Sequence, residues 1–343
     1  MSHSALEYPF PEGPGTGQAI SITPDVKWLR SPLPMSLNHI NCYLLRDGDG
    51  WCVVDTGMNS EAARQQWLNV LEAELNGAPL TRVIVTHHHP DHIGLAGWLC
   101  DDFRIPLYMT EAEYFYTRTF NAANVRQTGW EVEQFFDRAG ISKDHQQSLF
   151  NNSDYNHVVT EMPASYHRLR DGQRIRIGEH EWEAITTRGH APEHMCLYCR
   201  DLDLLISGDQ VLPKITSNVS VQPTEPNADP LADWYDAHVK MARRVPDSVL
   251  VLPAHQLPFR GLHQRLLEVI AHHEERLDKI EALCDSERNA QELTDLLFGR
   301  EMTVFQNFLA VGECIAHLHR LLALGRIERR LQDGTYRFRR VSF

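Results

Sequence analysis

Four imidazoles and one carboxylate, His87, His88, His89, Asp91 and His92, fall within six consecutive positions of the stretch Thr86-His87-His88-His89-Pro90-Asp91-His92-Ile93-Gly94. Imidazole nitrogen and carboxylate oxygen are ligands for zinc, iron, nickel and manganese, so the stretch suits a metal site and is poor material for an apolar core. The preceding run Val83-Ile84-Val85 predicts a short buried strand. Pro90 ends it, and Asp91 is the expected N-cap of a helix reaching about Cys100. Such a junction can aim several side chains into one cavity, and the interleaved Pro and Asp separate it from a low-complexity His tract.

Other metal-capable residues sit at the ends of similar runs. Asp55 follows Trp51-Cys52-Val53-Val54, Asp209 follows Leu204-Leu205-Ile206-Ser207-Gly208, and His255 follows Val249-Leu250-Val251-Leu252-Pro253-Ala254. Short apolar runs bounded by Gly or Pro read as strands buried on both faces, so several strands deliver a ligand at the same end.

Thr86-His87-x-His89-x-Asp91-His92 resembles the signature of the metallo-β-lactamase superfamily of hydrolases. Val53-Val54-Asp55-Thr56-Gly57, Gly189-His190, Gly208-Asp209 and Pro253-Ala254-His255 resemble its other motifs, in the expected order, over roughly residues 18 to 283. The ordered set is far more specific than a lone HxHxDH.

The resemblance implies an α+β fold, a four-layer αβ/βα sandwich with a dinuclear site. One metal is expected on His87, His89 and His190, the other on Asp91, His92 and His255, with Asp209 bridging. The cofactors implied are two divalent ions, zinc first, with iron or manganese as alternatives. Each ion lowers the pKa of a shared water, so hydroxide is available near neutrality to attack a carbonyl or phosphorus. Asp91 is also expected to orient the nucleophile or return a proton to the leaving group. Asp55 and His194 are expected to support ligands from outside the metal's own contacts. Arg188 stands where the family usually has proline, and Glu193 where it has a small residue or Asp; Arg188 is a candidate contact to substrate or phosphate.

Strands are expected at about Ala19 to Leu29, Ile40 to Arg46, Trp51 to Asp55, Gln173 to Ile177 and Glu181 to Thr187, with Asp47-Gly48-Asp49-Gly50 as a hairpin turn. Helices are expected from Ser60 to Leu75, with Trp67 in the core, from Asp233 to Arg244 and from His263 to Leu283. The stretch from 101 to about 165 carries no family motif and is rich in aromatics, among them Tyr114, Tyr116, Phe120, Trp130 and Phe136. It reads as added helices near Glu111 to Thr119 and Thr128 to Ala139, then a loop at Asn151-Asn152-Ser153-Asp154. It either packs on the core or walls the substrate pocket.

The domain reading is an N-terminal extension at 1–17, a catalytic domain at 18–285 with a helical insertion at about 101–165, and a C-terminal module at 286–343. In the module, Asn289-x-x-Glu292 resembles a capping box, Val311 to Leu324 reads as a helix, and Gln332-Asp333-Gly334-Thr335 is a hairpin signal. Helices followed by a hairpin resemble a winged helix, which accompanies one subfamily of these hydrolases, including some ribonucleases. Arg326, Arg329, Arg330, Arg337, Arg339 and Arg340 crowd the hairpin and are a candidate nucleic-acid contact. Packing or homodimerisation is the preferred role.

The 343 residues carry a net charge of -13, which argues against a general nucleic-acid or anionic-membrane binder. No stretch reaches the roughly 20 apolar residues of a membrane span. Seven cysteines without a secretory leader point to reduced thiols and a cytoplasmic location. The Cys196/Cys199 spacing inside a strand-like run reads as core. The function expected is metal-dependent hydrolysis of a small thioester, ester or lactone; the alternative is a metal-dependent ribonuclease or phosphodiesterase that uses the C-terminal module.

Overall fold

The computed structural model describes residues 6–34, 37–122, 129–152, 155–299 and 301–341. The chain divides into two compact units, one of Met1–Val125, Asp154–Ser217 and Val239–Leu266, the other of Arg126–Ser153, Asn218–His238 and Leu267–Phe343.

The first unit holds two sheets. One contains, in spatial and sequence order, β1 (Ala19–Thr23), β2 (Val26–Pro32), β3 (His39–Asp47), β4 (Gly50–Val54), β5 (Leu80–Ile84), β6 (Leu107–Met109) and β7 (His167–Arg168). Pairing is antiparallel from β1 to β4 and parallel from β4 to β7. The switch follows from the connections. Asp47 pairs with Gly50 across a tight turn, whereas β4 reaches β5 through helix α1 (Glu61–Leu75), the longer crossover that parallel strands need. The second sheet has the order β12 (Leu250–Pro253), β11 (Leu204–Gly208), β10 (His194–Cys199), β9 (His180–Thr187), β8 (Arg174–Ile177), with only β11 and β12 parallel.

Strand periodicity sorts the side chains into layers. Tyr43, Val54 and Ile84 of the first sheet meet Trp182, Leu197, Ile206 and Leu252 of the second, all buried. On the outer face of the first sheet, Leu44, Val53 and Val83 pack with Trp67 and Val70 of α1 and Leu99 of α3 (Ala96–Phe103), the helix that follows the short α2 (Pro90–Ile93). Ile185, Cys196 and Val251 pack with Met241 of α8 (Pro230–Arg244) and Leu266 of α9 (Leu262–Leu283) on the outer face of the second. The result is the helix, sheet, sheet, helix sandwich that the motifs imply. Asp47 ties the sheets together at the β3–β4 turn: its carboxylate accepts from Thr81 and Arg82 of β5 and from the Gly178 N–H beside β8, at 2.7 to 3.0 Å. Cys196 faces the outer layer and Cys199 the inner one, so the CxxC pair points in opposite directions, and all seven cysteines are free and buried.

Within the stretch lacking motifs, α4 (Glu111–Asn121) and α7 (Tyr155–Val158) belong to the first unit, and α5 (Trp130–Ala139) and α6 (Lys143–Asn152) to the second. Thr128, the expected start of α5, lies outside the described residues. Asn151 and Asn152 close α6 instead of opening a loop; Ser153 and Asp154 are not among the described residues. The second unit also holds α10 (Ala290–Phe298), α11 (Val304–Ala323) and the hairpin β13 (Ile327–Gln332) and β14 (Thr335–Arg340). Phe136, Leu277, Leu293, Val311, Leu318 and Phe338 share its core, so this unit draws on more of the chain than residues 286–343. Both α10 and α11 open on capping boxes, Asn289 with Glu292 and Thr303 with Gln306; the second starts α11 seven residues before the expected Val311.

Candidate metal centre

The β5 strand delivers the histidine run, and its turn differs from expectation in one respect. His89, not Asp91, occupies the N-cap of α2, because Pro90 with its fixed φ is pre-formed for the first helical position and leaves Asp91 inside the first turn. Asp91 and His92 therefore sit on a helix, while His89, its N-cap, has extended backbone and His87 precedes it in the turn after β5. His190 comes from the β9–β10 turn, Asp209 from the end of β11, and His255 from the end of β12.

These seven side chains converge. The donor atoms of His87, His89, His190 and Asp209 lie within 4.8 Å of one another, as do those of Asp91, His92 and His255. His87 Nε2 is 2.8 Å from His89 Nδ1 and 3.2 Å from His190 Nε2. Asp209 reaches both groups: Oδ2 is 3.4 Å from His190 Nε2 and 3.5 Å from His92 Nε2, and Oδ1 is 3.4 Å from His255 Nε2. Asp91 Oδ2 lies 3.3 Å from His255 Nε2.

Surrounding groups fix which nitrogen His92 and His255 present. Asp55, buried and at φ 58, accepts from His92 Nδ1 at 2.7 Å and from the Thr86 N–H and O–H at 2.8 Å each. His255 Nδ1 donates to the His39 carbonyl at 2.9 Å, which turns Nε2 inward. His194 is fully buried, and its Nε2 accepts the Asp209 N–H at 3.1 Å, so it holds the strand end that carries the carboxylate. A Cβ at Gly208, φ +51, would stand 2.4 Å from that Nε2. Only glycine fits there. Pro253 and Gln256 on either side of His255 are held through their carbonyls by Asn41, Tyr43 and Arg30.

The charges are mutually dependent. Burial alone would raise Asp209, but His255 and His92 hold its carboxyl well below the usual range. Burial would likewise lower His92, yet Asp209, Asp91 and Asp55 drive it well above the ordinary imidazole value. Burial, reinforced by His92 and His89, pushes His87 well below. His92 Nε2 and Asp209 Oδ1 are buried and make no hydrogen bond among the described residues. Orphaned donors and acceptors of this kind are costly, and a divalent cation between them satisfies both, so the residues fit the metals.

Two parts of the site carry no motif. Glu113 of α4, with no exposed surface, accepts the N–H and Nδ1 of His88 at 2.9 and 2.6 Å and the Glu193 N–H at 2.6 Å. The His88 ring lies against Tyr116 and Phe120, with ring centroids 5.2 and 6.4 Å away, beside His89. The single sequence signal was a carboxylate at position 113 on the same helical face as residues 116, 117 and 120. His39, the other omission, offered only a lone His at the start of a strand. Arg188 is exposed at the end of β9.

Residues 36–255 match the model of the metallo-beta-lactamase superfamily, and residues 277–341 match that of a metallo-beta-lactamase-like C-terminal domain. The chain belongs to the metallo-beta-lactamase superfamily. The structure is similar to a crystal structure of a beta-lactamase domain protein from Burkholderia ambifaria, with TM-score 0.91, 38% identity and 98% of each chain covered. It is also similar to a metallo-beta-lactamase family protein from Thermus thermophilus, with TM-score 0.79, 27% identity, 94% of this chain and 100% of that one. The probable metallo-hydrolase YqjP of Bacillus subtilis (strain 168) is 23% identical over 93% of this chain and 99% of its own length. With a superfamily match around a His/Asp donor set for divalent metal, the chain is a metal-dependent hydrolase of the metallo-beta-lactamase superfamily. No helix among the described residues is long and apolar enough to cross a membrane.

Proposed function

We propose that the protein hydrolyses a small thioester, ester or lactone with two divalent ions, zinc first and iron or manganese as alternatives. The observation that carries this reading is the position of Asp209 between two groups of imidazole and carboxylate donors, its two oxygens 3.4 to 3.5 Å from His190, His92 and His255. Bound there, two divalent ions supply Lewis acidity, which brings a water near neutral pKa and polarises the substrate oxygen.

The chain's own residues supply the rest. His87, His89 and His190 would hold one ion, Asp91, His92 and His255 the other, with Asp209 shared. Asp91, on the first turn of α2 and 17% exposed at its side chain, is the carboxylate within the centre with most access to solvent. Burial alone would raise it, but His92 and His255 hold it below the usual range, so it would first take the proton released by the attacking water and then pass it to the leaving group. His88, Tyr116 and Phe120 form an aromatic wall beside His89, which suits an apolar acyl group better than a sugar-phosphate backbone. Arg188 is an exposed cation next to the His190 turn and is a candidate partner for a substrate carboxylate or phosphate. Seven buried free thiols support a reducing, cytoplasmic setting.

The pairing of the hairpin arginines favours the acyl reading over the nuclease alternative. Arg337 pairs with Glu292 at 2.9 Å, Arg340 with Glu281 at 3.0 Å, and Arg326 with Asp278 at 2.6 Å, while Arg329 lies over the Tyr336 ring. Arginines committed to carboxylates are poor phosphate contacts. In this reading the helices and hairpin of residues 286–343, which we take as winged-helix-like, serve packing or self-association.

The test is metal analysis of protein prepared without chelator, followed by turnover of thioesters, esters, lactones and single-stranded RNA. Two ions per chain and acyl hydrolysis are expected. An Arg330→Glu/Arg339→Glu variant is expected to keep that turnover; salt-sensitive RNA cleavage by the wild type, abolished in this variant, would overturn the substrate class.

A further inference from the structure

We propose that Glu113 is a positioning residue that locks the loop of His87 to His89 onto the loop of His190 and so sets the geometry of the first metal group. This inference rests on the dinuclear reading only for the identity of that group.

The two loops flank strands of different sheets. One backbone bond, from the Met195 N–H to the Thr86 carbonyl at 2.9 Å, joins the sheets at the base of the loops. Glu113 extends the link to the loops themselves with one carboxylate. Oε2 takes the N–H of His88, which lies between two candidate ligands, together with the His88 ring N–H; Oε1 takes the N–H of Glu193, three residues after His190. The link is reciprocal, because the Glu193 carboxylate accepts the Ala112 N–H in the first turn of α4 at 3.1 Å and the Glu193 carbonyl accepts the Thr110 hydroxyl at 2.8 Å. Glu193 is one of the two positions, with Arg188, at which the sequence departs from the pattern it resembles, and this interlock accounts for its length.

A fully buried carboxylate is costly unless its oxygens are satisfied, and here three N–H donors from two loops do so. A carboxylate that merely filled a helix position would face solvent. The arrangement is directional as well. In Glu113→Gln the amide oxygen can serve His88, with two donors, or Glu193, with one. Keeping His88 leaves the NH₂ opposed to the Glu193 N–H, so the lock opens on the His190 side.

The experiment is competitive metal titration of the full-length protein with zinc, and with cobalt(II), whose visible spectrum reports coordination. In Glu113→Gln one ion is expected to weaken by roughly 10- to 100-fold, the range for lost support of a ligand, with a changed cobalt spectrum and the other ion unaltered. Val70→Ala, remote from the centre in the α1 core, should lower Tm without either change. Glu193→Ala removes only the return bond to Ala112 and should shift the same ion in the same direction by less; it carries the test if Glu113→Gln does not fold. Affinities within twofold of wild type in the folded variant, or equal losses in Val70→Ala, would overturn the inference. A wild type that binds one ion instead of two overturns the dinuclear reading, and the role of Glu113 then stands or falls on that ion's affinity.

Discussion

Asp55 Oδ2 lies 2.7 Å from His92 Nδ1, and the same carboxylate takes both the N–H and the O–H of Thr86. One side chain at the end of β4 thus aims the ring from α2 and pins the turn leaving β5. Asp55→Ala is expected to lower the affinity of the ion facing His92 by about 10- to 100-fold, as for other outer partners of ligating imidazoles. Equilibrium dialysis would read it; unchanged affinity would mean that packing alone orients His92.

Asp209→Asn is the sharper perturbation. Asparagine offers one neutral oxygen where both carboxylate oxygens face imidazoles, and it removes the charge on which the raised His92 depends. Metal content should fall below two per chain, and turnover should fall at least about tenfold with it. Full metal content at an unchanged rate would remove Asp209 from the shared position.

Gly208→Ala tests the backbone beneath that carboxylate. The left-handed conformation alone costs a non-glycine residue roughly 1–2 kcal/mol, and the new Cβ would displace the His194 ring that holds the Asp209 N–H. Loss of stability and of metal together is expected. Gly48→Ala, φ +63 with nothing near its Cβ, should show the backbone cost without the metal loss. Equal metal content in the two variants would contradict this account.

Acid should weaken the second unit through two buried imidazoles. His273 Nδ1 donates to His317 Nε2 at 3.0 Å, and burial followed by the neighbouring ring lowers His273 to about 2; burial lowers His317 to about 4. Below about 6.5 the unfolded chain takes up protons that the folded one refuses, so their contribution is complete above that pH and declines as pH falls towards 4. Glu313, raised by burial, has the opposite sign, so a difference measurement is needed. The destabilisation caused by His273→Asn, measured by urea unfolding, should be largest at pH 7 and shrink by pH 4.5. A pH-independent difference would count against the mechanism.

What could be read in the chain was local. Asp55, Asp209 and His255 were legible because each ends an apolar run, and Asp333-Gly334 because a two-residue turn needs positive φ at both positions, found at 48° and 80°. Asn289 and Glu292 announced their capping box at fixed spacing. Asp91 was misread as a cap because the rule for side chains at helix starts competes with the preference of proline for the first turn. Glu113 stayed hidden because its partners, His88 and Glu193, are 25 and 80 residues away and offer backbone N–H groups, which every residue but proline has. The fate of the hairpin arginines was hidden for a similar reason: composition counts charges, but whether Arg337 meets Glu292 or a phosphate is decided by tertiary packing.

The centre has a mechanical side as well. His87, His89, Asp91 and His92 follow a strand of the first sheet, while His190, Asp209 and His255 follow strands of the second. Metal held there would rivet the sheets at one end, and the Asp47 knot is at the other end of β4. With chelator, the sandwich should open about Asp47 like a book at its spine, so amide exchange should quicken first in the turns after β5, β11 and β12 and last beside Gly178.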